Sequence, residues 1–161
     1  LNQSFNSKDA AMSVRGIEIC PLASTKGGTL DFYTPQSSNE TILVQISPYT
    51  IDDLFVHKTQ TDQLLVVKGM MVLVILINKQ YQYIPLSEHH PQVVKIPPGV
   101  LHSAINLNPQ PCVVVNAVLR HKPANEEDYI PKKRIFPYDL SAAQAAQNKR
   151  ELMSCNHPWR E

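Results

Sequence analysis

No stretch before Asp139 carries the 3.6-residue apolar period of a helix; instead proline and polar turn residues cut the chain into short β-branched segments. These read GIEIC, TLDFY, TILVQI, QLLVVKG, MMVLVILIN, YQYIPL, QVVKIP, HSAIN and CVVVNAVL, with thirteen prolines against five glycines as punctuation. Many short strands without intervening helices specify an all-β sandwich or barrel. At 161 residues the chain fits one domain, burying about 70% of its unfolded surface.

Some runs (LLVV, MMVLVILI, VVV) are apolar at every position, as in a strand buried on both faces. Such an outer face is covered either by a second copy, giving a homodimer, or by the chain's own terminal segments. The C-terminal stretch differs. Ser141-Ala-Ala-Gln144 reads as a capping box, followed by good helix formers with basic residues late, until Asn156 and Pro158 stop the run. Its apolar face is weak, which suggests an appendage. The expected division is a polar arm over residues 1–15, a barrel over 16–138 and a helix with its tail over 139–161.

Fifteen basic residues against fourteen acidic ones leave a net charge of +1, giving no electrostatic reason to expect nucleic acid or an anionic membrane as partner. The apolar run from Met70 to Ile77 is too short for a membrane-spanning helix. The leading LNQSFNSKDAAMS has no apolar signal-peptide centre, and Cys20, Cys112 and Cys155 are widely spaced, as reduced thiols are. A soluble cytoplasmic domain is the expectation.

Two of the six histidines sit in informative surroundings. In IPPGVLHSAIN a Pro-Pro-Gly turn delivers the chain into a strand on which His102, Ala104 and Asn106 share one face. His57 opens HKTQTDQLLVVKG, where a polar strand end runs into an apolar strand closed by Gly69. His89-His90 reads as a surface pair in a proline-bounded loop.

These segments resemble the two cupin motifs. Pro97, Gly99, His102 and Asn106 fill four of the five positions of G-x5-P-x-G-x2-H-x3-N, with Pro91 at the leading Gly. In G-x5-H-x-H-x3,4-E-x6-G, His57 stands at the second His, Asp62 at the Glu and Gly69 at the closing Gly; Phe55 replaces the first His and Tyr49 the leading Gly. The resemblance, over roughly Thr41 to Arg120, implies a double-stranded β-helix (jelly-roll barrel) with a C-terminal α-helix. In metal-bearing cupins it further implies a divalent transition metal (Fe, Mn, Zn or Ni) on His57, Asp62 and His102, with Gln60 or Gln63 as weak substitute donors. The alternative is a metal-free pocket of hydrogen-bonded histidines.

Within the cupins, IPPGVLHSAINL and HKTQTDQLLVVKG look like segments of the dTDP-4-dehydrorhamnose 3,5-epimerases and the dTDP-sugar 3,4-ketoisomerases. Those enzymes work without metal, a histidine abstracting a proton beside a keto group. The resemblance gives His57 as base and Tyr129 as acid; Asp62 would orient His57, although it falls near the position of the epimerases' enolate-binding lysine. Gln60, His102 and Asn106 are candidate substrate contacts, and Arg120 with His121 at the barrel mouth candidate anion contacts. The partner is a small molecule, with a nucleotide sugar the specific expectation. Lys132 to Arg134 reads as a solvated strand end. Three functions are open: an epimerase-like isomerase, a metal-dependent oxygenase or isomerase, and a non-catalytic metabolite-binding cupin.

Overall fold

A computed structural model of the chain describes residues 12–14, 16–22, 24–27, 30–33 and 36–155. The proline-punctuated segments become antiparallel strands in two facing sheets. The first sheet has the order β1 (Met12–Val14), β2 (Ile17–Pro21), β10 (Gln92–Ile96), β7 (Gln60–Lys68), β12 (Cys112–Arg120), β5 (Glu40–Ile46). The second has β13 (Tyr129–Lys132), β6 (Leu54–His57), β11 (His102–Ile105), β8 (Met70–Ile77), β9 (Gln80–Ser87). A separate hairpin joins β3 (Ser24–Gly27) to β4 (Leu30–Tyr33). One α-helix, α1 (Leu140–Cys155), closes the chain. This is the all-β cupin jelly roll with a C-terminal helix that the motifs imply. The first sheet begins at Met12, inside the segment read as a polar arm. Residues 1–11 and the tail 156–161 lie outside the described residues.

Strand alternation explains the wholly apolar run of β8. Met71, Leu73, Ile75 and Ile77 face the space between the sheets, packed with Ile17, Val66, Val94, Ile96 and Val114. Val72 and Val74 face the other way and pack with Ile105, Tyr138 and Ala143. Of the two covers left open by the sequence, the chain's own C-terminal segment is the one found over β8. The helix is therefore docked, not an appendage, despite offering little more than Ala143 and the buried Gln147. Among the described residues, no helix is long and apolar enough to cross a membrane.

Backbone strain marks the turns. Asn78 (φ 52°) and Lys79 (φ 62°) form the two-residue connection from β8 to β9, where both central residues take positive φ so that the turn matches the strands' twist. Tyr49, standing where the first cupin motif has glycine, keeps the left-handed backbone (φ 55°) without that residue's freedom. Cys20 and Cys112 are free thiols, and burial pushes the Cys112 thiol up to about 12.

The helix start differs from the expected capping box. Asp139 Oδ1 accepts from Ala142 N at 2.9 Å, and Tyr83 Oη accepts from Asp139 N at 2.7 Å. Asp139 is thus the cap, and Ser141 falls inside the first turn; a carboxylate one residue before the helix satisfies the free N–H groups that Ser141 was expected to serve. Asp139→Ala should cost about 1 kcal/mol and Ser141→Ala less than about 0.5 kcal/mol, read from urea denaturation midpoints. Equal losses would return the cap to Ser141.

Candidate active site

The two sheets are apolar at one end of the barrel and polar at the other, and the polar ends converge. On β7 the inward row runs Gln60, Asp62, Leu64, Val66; on β12 it runs Val114, Asn116, Val118, Arg120. Opposite them, His102 pairs in register with Phe55 on β6, and Gly99 N donates to His57 O at 2.8 Å. The Pro-Pro-Gly turn therefore ties the two histidine-bearing segments together, Gly99 taking the positive φ (81°) this turn requires. A 3₁₀ turn, Glu126–Asp128, capped by Asn125, brings a third segment over the same end. Lys58 N donates to Asp128 O at 3.1 Å, fixing that turn beside His57.

Asp62 is the hub. Its Oδ1 accepts from Gln60 Nε2 at 2.6 Å and Asn116 Nδ2 at 2.9 Å. Its Oδ2 lies 3.3 Å from His102 Nε2 and 3.5 Å from His57 Nε2. His102 Nδ1 donates to the Val100 carbonyl at 2.9 Å, which leaves Nε2 facing Asp62. His57 Nδ1 lies 3.3 Å from Asp128 Oδ2, whose other oxygen accepts from Thr59 N and Thr59 Oγ1, each at 2.6 Å. Arg120 grips Glu40 bidentately (2.8 and 2.9 Å), donates to Gln60 Oε1 and lies 3.6 Å from Asp128.

Burial raises the pKa of both Asp62 and Asp128, but their hydrogen bonds and histidine neighbours outweigh it. For Asp62 the donors are His102 and Asn116, for Asp128 Thr59, and both carboxyls stay below the usual carboxylate range. Three carboxylates (Glu40, Asp62, Asp128) thus face one guanidinium, leaving two negative charges for the imidazoles or a ligand to balance. The site opens on a cavity of about 710 Å³, inside the roughly 300–1,000 Å³ of small-ligand pockets.

The structure gathers His57, Gln60, Asp62, His102, Arg120 and Tyr129 around this cavity. Tyr129 is half-exposed at the rim, its ring 5.7 Å from that of His57. Phe55 fills the place of the missing motif histidine, its ring edge-on to His102 at 4.2 Å. Asn106 requires correction as a substrate contact. β11 ends at Ile105, and beyond it Asn106 Nδ2 donates to the carbonyls of Ile46, Ser47 and Gln110, so this amide is spent on backbone and is not among the residues lining the cavity. His121 is likewise outside, exposed and bonded to Thr61 Oγ1 at 2.7 Å. Gln63 points to the opposite face and donates to Ser37 O and Ala117 O. Arg120 is at the mouth, held by Glu40.

Asp128, Asn116 and Glu40 were not marked by any motif. Their one signal is chemical: Asn116 interrupts the apolar CVVVNAVL, and an interior amide needs a polar partner.

The donor set also fits a divalent cation. One atom from each of His57, Asp62 and His102 lies within 4.8 Å of the others. The 3.3 and 3.5 Å spacings from Oδ2 match the edge of a tetrahedron, about 3.4 Å for bonds near 2.1 Å. Both Nδ1 atoms face oxygen, as outer partners of metal-bound histidines do.

The fold is similar to that of solved dTDP-sugar isomerases and epimerases. No protein-family model matches the chain, and no curated protein sequence matches it. Solved structures do. A dTDP sugar isomerase from Desulfovibrio desulfuricans G20 superposes with a TM-score of 0.65 at 16% identity, covering 83% of this chain and 96% of that one. A dTDP-4-dehydrorhamnose 3,5-epimerase from Sulfolobus tokodaii gives 0.63 at 15%, covering 78% and 84%. A 3,4-ketoisomerase mutant from Thermoanaerobacterium thermosaccharolyticum, solved with TDP-4-keto-6-deoxyglucose, gives 0.60 at 15%, covering 85% and 98%.

Because the Asp128 pKa is lowered on folding, its contribution to stability is complete above the unfolded carboxylate value and is lost as pH falls through the folded one. Asp128→Asn should cost about 1 kcal/mol at neutral pH, and the gap to the parent should close below about pH 4. Urea melts at both pH values read this; a gap that persists in acid contradicts it.

Proposed function

We propose that this protein is an isomerase-type enzyme that moves a proton at the carbon beside a carbonyl of a small sugar bound in the barrel cavity. His57 is the base, taking the proton on Nε2 while Asp128 holds Nδ1. What supports this is the His57–Asp128 contact of 3.3 Å at the edge of the cavity. A carboxylate at the far ring nitrogen fixes the tautomer and stabilises the imidazolium formed when the base accepts a proton. Asp62, 3.5 Å from Nε2 and also against His102, is the anion that stabilises the imidazolium once Nε2 carries that proton. Tyr129, at the rim, is the acid that returns a proton. Neighbours of the same fold act on dTDP sugars, which supports a keto sugar as substrate.

A second reading is favoured by one observation, the convergence of two Nε2 atoms and one carboxylate oxygen. His57, Asp62 and His102 would then hold a divalent transition metal, which when bound polarises a carbonyl oxygen. In that case Asp128 and Val100 O position the two imidazoles, and Gln60 with Asn116 holds Asp62.

Proton NMR in deuterium oxide with keto sugars, both free and TDP-linked, tests the first reading. Deuterium should enter beside the carbonyl, and His57→Asn should slow entry by about 10²–10⁴-fold. Undiminished exchange in the variant would remove His57 as base. Chelation followed by elemental analysis separates the readings. Exchange that survives metal removal supports the first; exchange lost on chelation and restored by iron, manganese, zinc or nickel supports the second.

A further inference from the structure

Recognition of a diphosphate needs cationic or N–H donors aimed at the ligand. Among the described residues lining the cavity, Arg120 is the one lysine or arginine, against four carboxylates: Asp52, Asp62, Glu126 and Asp128. Arg120 is not turned to the cavity as a free fork. Its Nε and one terminal nitrogen are held by Glu40 at 2.8 and 2.9 Å, and the other terminal nitrogen serves Gln60 and faces Asp128. The pairing spans the sheet edge, since Glu40 opens β5 and Val118, two residues before Arg120, is its register partner on β12. Asn39 Oδ1 also accepts from Arg120 N at 2.8 Å, so the backbone beneath the guanidinium is fixed to the residue that precedes β5.

An incoming diphosphate would have to displace Glu40 from a two-point ion pair and then lie against a carboxylate-rich wall. Like charge at close range disfavours that exchange, and the loss of a bidentate pair adds to it. A sugar without phosphate meets neither obstacle: its hydroxyl groups can donate to the carboxylates that repel an anion. We infer that Glu40 is a specificity-determining residue which neutralises the cavity's cation, so that the site takes a phosphate-free carbonyl sugar and excludes a nucleoside diphosphate. The inference rests on the cavity being a sugar site, as proposed above, and departs from the ligand chemistry of the dTDP-sugar neighbours.

Titration calorimetry with thymidine diphosphate at neutral pH and low salt tests it without any turnover. The parent protein should show no saturation up to about 1 mM. Glu40→Gln keeps the shape of the side chain, removes its charge and frees the guanidinium, and should tighten binding about tenfold or more. Adding Arg120→Gln to that variant should abolish the gain. Micromolar binding by the parent, or no gain in a folded Glu40→Gln protein, would overturn the inference. Should Glu40→Gln not fold, Glu40→Ser is the substitute, and the parent titration decides by itself. Proton transfer on a keto sugar is read separately, so exclusion of the diphosphate can fail while the isomerase reading stands.

Discussion

Asp62 is a carboxylate 2% exposed inside a barrel, and the rest of the site is arranged around that fact. An ionised carboxylate taken from water costs several kcal/mol unless its oxygens are satisfied. Two amides from β7 and β12 bond one oxygen, and two imidazoles from the opposite sheet face the other. The most distant of those four groups from Asp62, Asn116, lies 54 residues away in the chain. Closing the jelly roll is what assembles them, so folding and site formation are one event. Asp62 is at once the site's largest electrostatic liability and its organising centre.

The same closure explains the division of labour along each strand. β7 and β12 carry apolar residues inward at one end and polar residues at the other, and β8 presents alternate residues to the barrel interior and to α1. Apolar packing fixes the distance between the sheets; the polar ends then meet at hydrogen-bonding range. Phe55, edge-on to His102, closes the side where a cupin motif would place another imidazole. The site has two histidines and an acid where a fuller motif has three histidines and an acid.

The fold was legible because it is written locally. Strand length, β-branched content and proline spacing are properties of neighbours in sequence, as is the helix after Asp139. His57, Asp62 and His102 were legible because two motifs keep their spacing. Asp128 was not, since it follows two other acidic residues and only the 3₁₀ turn capped by Asn125 shows that this one is buried. Glu40 was invisible for a similar reason: its partner Arg120 lies 80 positions away. Asn106 misled because strand alternation was extended one residue past the end of β11, where the amide is taken up by the carbonyls of Ile46, Ser47 and Gln110. The cap moved from Ser141 to Asp139 because both residue types cap helices and only the start at Leu140 selects between them.

Among the described residues, the cavity lining carries four carboxylates and one guanidinium. A wall with more carboxylates than cations suits protons, metal cations and hydroxyl-rich ligands, and both readings of the chemistry use that property. The central claim is that Asp62 and His102, from opposite sheets, form one coupled unit. A double-mutant cycle on stability, with Asp62→Asn, His102→Asn and the pair, measures it directly. The account predicts a coupling energy above about 1 kcal/mol at neutral pH. Additive losses, within about 0.3 kcal/mol, would show that the two side chains do not interact and would contradict it.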